Sequence, residues 1–186
     1  MTMLKQLCRG LGKGSPTPAQ ETFAALLAHL DRHGFQKGKV DTQALSVTLR
    51  IVGMGEVRVR DEPSYQRVTI RGYYAIHTCE RVRLPLLSLV VAACNACILQ
   101  GRFEISPLSG MLYFENCLFY GESSPATQEQ ADMAFLCVIA AMTRYKETLL
   151  PLLAGVEPDH PCREYQLLRN VYGRQLRWLA CMEGHG

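Results

Sequence analysis

The sequence predicts an α+β fold, in which an antiparallel sheet carries helices on one face, in the order α-β-β-β-α-β-β-α plus a C-terminal helix. Three observations predict it. Apolar residues recur at helical spacing after Thr17, and apolar and polar residues alternate between residues 45 and 78. Residues 84–154 then read as an apolar helix, a hairpin and a second apolar helix.

The first helix is predicted to begin at Thr17-Pro18. Threonine caps helices, proline suits the first turn, and Gln20 stands at the capping-box position. Gly34 is expected to end the helix. Its apolar stripe consists of Phe23, Leu26, Leu27 and Leu30.

Three antiparallel strands are predicted between residues 45 and 78, with turns at residues 53–55 and near Pro63. Aliphatic residues alternate with polar ones, which is typical of strands with one buried and one solvated face. The aliphatic phase comprises Leu45, Val47, Leu49, Ile51, Val57, Val59, Val68, Ile70, Tyr74 and Ile76.

A helix and a hairpin follow these strands. The helix opens at Leu84-Pro85 and is expected to end at Gly101. Strands are predicted at residues 102–106 and 111–119, with the turn at Ser109-Gly110.

Two helices complete the chain. The first is predicted to open at Ser124-Pro125, to be ended or kinked by Pro151, and to be closed by Gly155. After a linker containing prolines, residues 163–181 show helical spacing of apolar residues.

These boundaries predict a flexible leader (1–16), an α+β domain (17–155), and a linker with the C-terminal helix (156–186). The 186 residues are 48% hydrophobic and 20% charged, which is enough apolar material for a core.

A net charge of +3 does not by itself favour nucleic acid or a membrane surface. No targeting signal and no apolar run of about 18 residues is visible, so we expect a cytoplasmic protein with no membrane partner.

The eight cysteines are expected to be reduced, because most lie within apolar runs. Cys94 and Cys97 form a C-x-x-C near the C-terminal end of a helix, where the helix dipole disfavours a thiolate. Helical phase places both on the apolar face. We therefore expect core packing for both, rather than redox chemistry or a zinc site.

No catalytic, cofactor or metal motif is present. His29 and His33 are spaced for one helix face, but they lack the glutamate of an H-E-x-x-H site, and we expect a solvated pair. Glu104 and Glu115 are candidates to face each other across the hairpin, and their strand phase predicts that both are exposed. The sequence thus predicts no enzyme and no cofactor.

The polar phase of the first three strands carries five arginines. In-order antiparallel pairing would place them on one sheet face together with an aromatic residue. Such a face can bind single-stranded nucleic acid or an acidic protein segment, or it can be a solvated face paired with nearby carboxylates. The modest net charge argues against nucleic acid. The candidate partner-binding residues are Arg50, Arg58, Arg60, Arg67, Arg71 and Tyr73.

Several of these segments together resemble the bacterial YbjN family. They are Leu84-Pro85, Asn95, Gly101-Arg102-Phe103-Glu104-Ile105, Gly110-Met111-Leu112-Tyr113-Phe114-Glu115, Ser124-Pro125 and Arg144-Tyr145 with the Leu149-to-Gly155 run. Family members are described as candidate sensory-transduction regulators, similar in fold to the dimeric chaperones of type III secretion systems. The resemblance covers residues 80–155, extends in topology to 18–79, and implies a homodimeric protein-binding or regulatory module without a cofactor.

The leading hypothesis is a non-enzymatic bacterial module that binds a protein partner and forms a homodimer. The helix around residues 131–142 is apolar nearly all round, so it needs cover from a second subunit or from the terminal helix. Two alternatives remain open: nucleic-acid binding by the arginines, and a small-molecule-binding domain or enzyme with a pocket between sheet and helices.

Overall fold

The structure is a computed structural model that describes the backbone of residues 15–181 and the side chains of residues 15–173. Nearly all of the predicted leader lies outside the described residues. The described chain forms helices α1 (Pro18–Arg32), α2 (Leu84–Asn95), α3 (Gln128–Ala154) and α4 (Arg163–Cys181), and strands β1 (Lys37–Asp41), β2 (Ser46–Ile51), β3 (Gly55–Glu62), β4 (Arg67–Tyr74), β5 (Arg102–Ile105) and β6 (Leu112–Phe119).

The six strands form one antiparallel sheet in the order β1-β2-β3-β4-β6-β5. The predicted α+β class and antiparallel sheet are confirmed. Strand β1 is an addition that the sequence pattern missed, because Lys37, Lys39 and Asp41 break any apolar alternation. Charged residues are typical of an edge strand, where they discourage pairing with another chain.

The predicted start of α1 is confirmed. The backbone N–H of Thr17 donates to Oε1 of Gln20 at 2.8 Å, and the N–H of Gln20 donates to Oγ1 of Thr17 at 3.3 Å. Gly34 follows the helix with a φ of 68°, a conformation that glycine adopts without strain.

Helix α3 begins later than predicted. Its cap is Thr127, which forms a capping box with Gln130, so the predicted opening at Ser124-Pro125 is wrong. A reciprocal capping box satisfies two backbone donors, which the Ser-Pro pair does not. The helix continues past Pro151 to Ala154, and Gly155 closes it with a φ of 77°.

Helix α2 ends at Asn95 rather than at Gly101. The Asn95 amide donates to the carbonyl oxygen of Phe103 at 2.9 Å, and its Oδ1 accepts from the Phe103 N–H at 2.8 Å. This exchange joins the helix end to β5, so a tertiary contact replaces further helical turns.

The core lies between the helices and the aliphatic face of the sheet. It includes Val47, Leu49, Val57, Val59, Val68, Ile70, Tyr74, Phe114, Phe135, Val138, Met142 and Tyr145. One residue departs from the predicted phase: Ile76 is exposed because β4 ends at Tyr74. Leu45 is buried as predicted, although it precedes β2.

The terminal helix α4 packs against α2 through its first turns, and Tyr165 belongs to the core. The backbone of α4 departs from helical geometry at Tyr172, where the helix kinks. Within the described residues, none of the helices combines the length and the hydrophobicity that crossing a membrane requires.

Candidate functional site

The polar face of the sheet gathers all six candidate residues. Strand register aligns Arg50 with Glu56 and then Tyr73, and it aligns Arg58 with Arg71 and then Glu115. We call this surface the arginine face. It consists of Arg50, Glu56, Arg58, Arg60, Glu62, Arg67, Arg71, Tyr73, Arg102, Glu104, Tyr113 and Glu115.

Glutamates hold the inner arginines. The Arg71 guanidinium donates to Glu115 at 2.5 Å and lies 3.9 Å from Glu62. Arg67 approaches the same Glu62 at 2.6 Å. Because these carboxylates are half-buried or buried, the pairs are better shielded from water than exposed ion pairs are.

Aromatic rings fill the space between the charges. Tyr73 is only 7% exposed although it lies on the polar face. The Arg58 guanidinium covers its ring at 4.7 Å from the centroid, and Tyr113 lies beside it at 5.7 Å between centroids. Arg71 covers Tyr113 in turn, at 5.2 Å. Stacking of arginine on tyrosine holds both side chains in fixed positions.

A carboxylate anchors the hairpin end of this surface. The Tyr113 hydroxyl donates to Glu104 at 2.7 Å, and Arg102 pairs with Glu104 at 2.6 Å. Burial acts to raise the pKa of Glu104, but these two neighbours lower it below its usual range. Burial and the Glu104 charge raise the pKa of Tyr113 to about 12, so the phenol remains a donor at neutral pH.

Two arginines remain available to a ligand. Arg58 also pairs with Glu56, whereas Arg50 and Arg60 are exposed and form no salt bridge within residues 15–173. The arginine face thus contains six arginines and four glutamates, and its accessible positive charge is concentrated at two positions.

Arg102 and Tyr113 belong to the arginine face but are absent from the candidate residues predicted from the sequence, although they lie on the polar phase of their strands. The strand pattern also predicts that Glu104 and Glu115 face each other across the hairpin and are exposed, and this prediction is wrong. Glu104 instead pairs in register with Tyr113, and Glu115 is 9% exposed and pairs with Arg102. The correction follows from β6 lying between β4 and β5, which covers Glu115 with Arg71.

An open cleft of ≈ 580 Å³ extends from one end of the arginine face. Its lining includes Arg50, Glu56, Tyr73, His77 and Leu150. It is an open groove continuous with the arginine face, whereas the pockets that hold small molecules enclose most of the ligand surface.

The histidine and cysteine predictions need correction. His29 is buried rather than solvated, and its Nδ1 lies 2.9 Å from Asp132. Cys94 is buried as predicted, but Cys97 is exposed because α2 ends before it. Among the described residues, no group of three or more His, Cys, Asp or Glu side chains is arranged to hold a metal ion.

No protein-family model and no curated protein matches this sequence. Solved structures similar to this chain include the following two. A chain of the ExsC–ExsE complex is 12% identical, with a TM-score of 0.51 over 78% of this chain and 97% of that chain. YbjN from E. coli, described as a proposed transcription regulator, is 15% identical, with a TM-score of 0.45 over 69% of this chain and 89% of that chain. This chain shares the fold of the matching chain of the ExsC–ExsE complex, which confirms the resemblance in fold expected from the sequence.

Proposed function

We propose that this protein is a non-enzymatic module that binds a protein partner through the arginine face. The observation that carries the proposal is the organisation of this surface: the helices pack on the opposite face of the sheet, and the inner side chains Arg58, Arg71, Tyr73 and Tyr113 are held by one another and by Glu115. A surface ordered before binding loses little conformational entropy on association.

The fold offers a second line of support. ExsC, whose fold this chain shares, is known in a complex with ExsE. At 12% identity the likeness concerns the fold, and the partner chemistry follows from this chain's own side chains.

The chemistry of the face fits an acidic segment that also carries an aromatic residue. Arg50 and Arg60 offer guanidinium groups without a carboxylate partner in the described chain. The stacked Arg58–Tyr73 pair lies between them and offers a flat surface for an aromatic side chain. Six arginines against four glutamates leave two accessible positive positions, which suit a short acidic segment but are too few to neutralise a phosphate backbone, so nucleic acid is the poorer fit.

The test compares affinity purification with tagged wild-type protein and with the double variant Arg50→Glu/Arg60→Glu. Both side chains are exposed, so the fold should survive. We expect a partner captured by the wild type to be at least about tenfold depleted with the variant, because two attractions become repulsions. The matched control is Arg81→Glu, an exposed arginine outside the arginine face, which should capture the partner normally.

Equal capture by the double variant and the wild type would refute the assignment of the face. Anisotropy with a labelled single-stranded oligonucleotide tests the rival function. Binding that falls steeply with salt and is lost in Arg50→Glu/Arg60→Glu would replace the protein-partner proposal with nucleic-acid binding.

We further propose that the protein is a homodimer in the bacterial cytoplasm. Met133 and Leu136 on α3 are 52% and 45% exposed, and α4 packs on α2 instead of covering them. A second copy would supply that cover. The described cysteines are all free thiols, which fits a reducing compartment.

A further inference from the structure

The cleft at one end of the arginine face combines apolar walls with a free guanidinium. Its walls include the rings of Tyr73 and His77, which lie edge to face at 5.9 Å between centroids, and Leu150 on α3. Arg50 also lines the cleft and forms no salt bridge within residues 15–173. The cleft therefore suits an apolar side chain of a ligand that carries a carboxylate close by.

An exposed aromatic site lies at the opposite end of the same face. Phe119 is 64% exposed, and it lies on the arginine side of the sheet because it is the register partner of Arg67. Tyr65 is 68% exposed, and the Arg67 guanidinium covers its ring at 4.9 Å from the centroid. Exposed aromatic side chains are typical of surfaces that contact another protein.

This second site also has a free arginine nearby. Arg60 is exposed and forms no salt bridge within residues 15–173. It lies on β3 and Phe119 lies on β6, with β4 between them and an offset of two residues along the strands. Strand spacing and rise place their backbones about 12 Å apart. Each end of the arginine face thus pairs an apolar contact with an available positive charge.

The arginines between the two ends already have partners. Arg71 donates to Glu115 at 2.5 Å, and Arg58 pairs with Glu56. These pairs leave little net charge in the middle of the face, so the attraction for an acidic ligand is strongest at its ends.

The length of β4 sets the distance between the two sites. Tyr73 at the cleft and Arg67 beside Phe119 are six residues apart on this strand. A strand rises about 3.3 Å per residue, so about 20 Å separates the two sites. An extended ligand segment covers that distance in about six residues, and side chains at that separation point to the same side because the strand period is two.

We propose that the arginine face holds its protein partner at both ends, through two apolar side chains about six residues apart in an extended acidic segment. One side chain occupies the cleft, and the other packs on Phe119 and Tyr65. Carboxylates next to them in the segment pair with Arg50 and Arg60. The inference rests on the proposed partner binding and adds the spacing and chemistry of the contact residues.

The test uses two fluorescently labelled peptides of identical composition. The spaced peptide, Asp-Trp-Asp-Ser-Gly-Ser-Asp-Phe-Asp, separates its aromatic residues as the two sites require. The adjacent peptide, Asp-Ser-Asp-Trp-Phe-Asp-Gly-Ser-Asp, places them side by side. Anisotropy titrations with the wild-type protein should show at least about tenfold tighter binding of the spaced peptide, because only that peptide engages both ends at once.

Two variants each remove one end. Ala75→Trp places a ring in the cleft, since Ala75 is exposed and lines it, and Phe119→Ser removes the main contact of the second site. In either variant the two peptides should bind within about twofold of each other, because one end remains for both. Leu89→Ser, at an exposed leucine on α2, is the control and should keep the wild-type preference.

Equal affinity of the wild type for both peptides, with both weakened by Arg50→Glu/Arg60→Glu, would overturn the two-ended arrangement and leave the acidic-partner proposal standing. A preference for the spaced peptide that survives Ala75→Trp or Phe119→Ser would also overturn the arrangement. Binding that the double arginine variant does not weaken, or no binding of either peptide at about 1 mM protein, would overturn both proposals.

Discussion

At the residue scale, His29 shows how burial changes the role of an ordinary side chain. It is 0% exposed, with its ring 5.1 Å from Phe135 and 4.4 Å from His33, measured between centroids. The Asp132 carboxylate lies 2.9 Å from Nδ1 of His29, and it also accepts a hydrogen bond from the Arg32 guanidinium at 2.7 Å. Burial lowers the pKa of His29, and the Asp132 hydrogen bond opposes that effect without cancelling it.

This lowered pKa predicts a loss of stability in acid. The unfolded chain takes up a proton at His29 near pH 6.5, whereas the folded chain resists protonation until a lower pH. The unfolded state therefore binds more protons below pH 6.5, and the free energy of unfolding should fall as pH drops through that value. Urea titrations between pH 7.5 and 5 measure the slope.

His29→Phe should flatten that slope, because it retains an aromatic ring and removes the titrating group. His160→Gln, at an exposed side chain outside this cluster, should keep the wild-type slope. A His29→Phe variant that loses stability in acid as steeply as the wild type would show that another group is responsible.

At the element scale, the contact between β4 and α3 depends on a residue without a side chain. A Cβ atom at Gly72 would lie 2.0 Å from Sδ of Met142 and 2.9 Å from Cγ1 of Val138. The Tyr74 hydroxyl donates to the carbonyl oxygen of Met142 at 2.8 Å. The Asn116 side-chain amide donates to the carbonyl oxygen of Ala134 at 2.9 Å. These two bonds hold the helix close to the sheet at two points.

Gly72→Val should therefore destabilise the fold, by about 1–3 kcal/mol or more, because Met142 and Val138 must move within a packed core. The measurement is the urea midpoint at constant m-value. Gly173→Ala is the matched control: an added Cβ there meets nothing within 4 Å, so stability should not fall. A Gly72→Val midpoint equal to that of the wild type would mean that the helix shifts without penalty.

The ends of the elements show which sequence signals are reliable. Capping boxes fix the starts of α1 and α3, because side chain and backbone satisfy each other locally. Positive-φ glycines follow α1 and α3 for a similarly local reason. The end of α2 was misplaced because Asn95 bonds to Phe103, a partner on the next strand.

At the scale of the whole molecule, the exposed apolar residues of α3 predict assembly. Light scattering after gel filtration at micromolar concentration should give the mass of two chains for the wild type. Met133→Glu/Leu136→Glu should give the mass of one chain, because two buried carboxylates would be unpaired in the interface.

Leu89→Glu is the control for this test, since Leu89 is an exposed leucine on a different helix. It should leave the dimer intact. A wild-type protein that is monomeric throughout this concentration range would remove the homodimer from the proposal.

The sequence by itself determined the fold class, the buried phase of each central strand, and the phase that carries the arginines. These features follow from periodicities of two and 3.6 residues, which depend on neighbours along the chain. The polar edge strand β1 escaped detection because its pairing with β2 comes from the sheet and not from its own pattern.

Only the tertiary structure decided which groups meet across the chain. It placed β6 beside β4, which brings Glu115 to Arg71 and Tyr113 to Tyr73. It also brought Cys162 to Thr148, whose Oγ1 accepts from the Cys162 N–H at 2.6 Å. Ion pairs and tertiary hydrogen bonds depend on distance and burial, and both quantities arise only when segments far apart in sequence pack together.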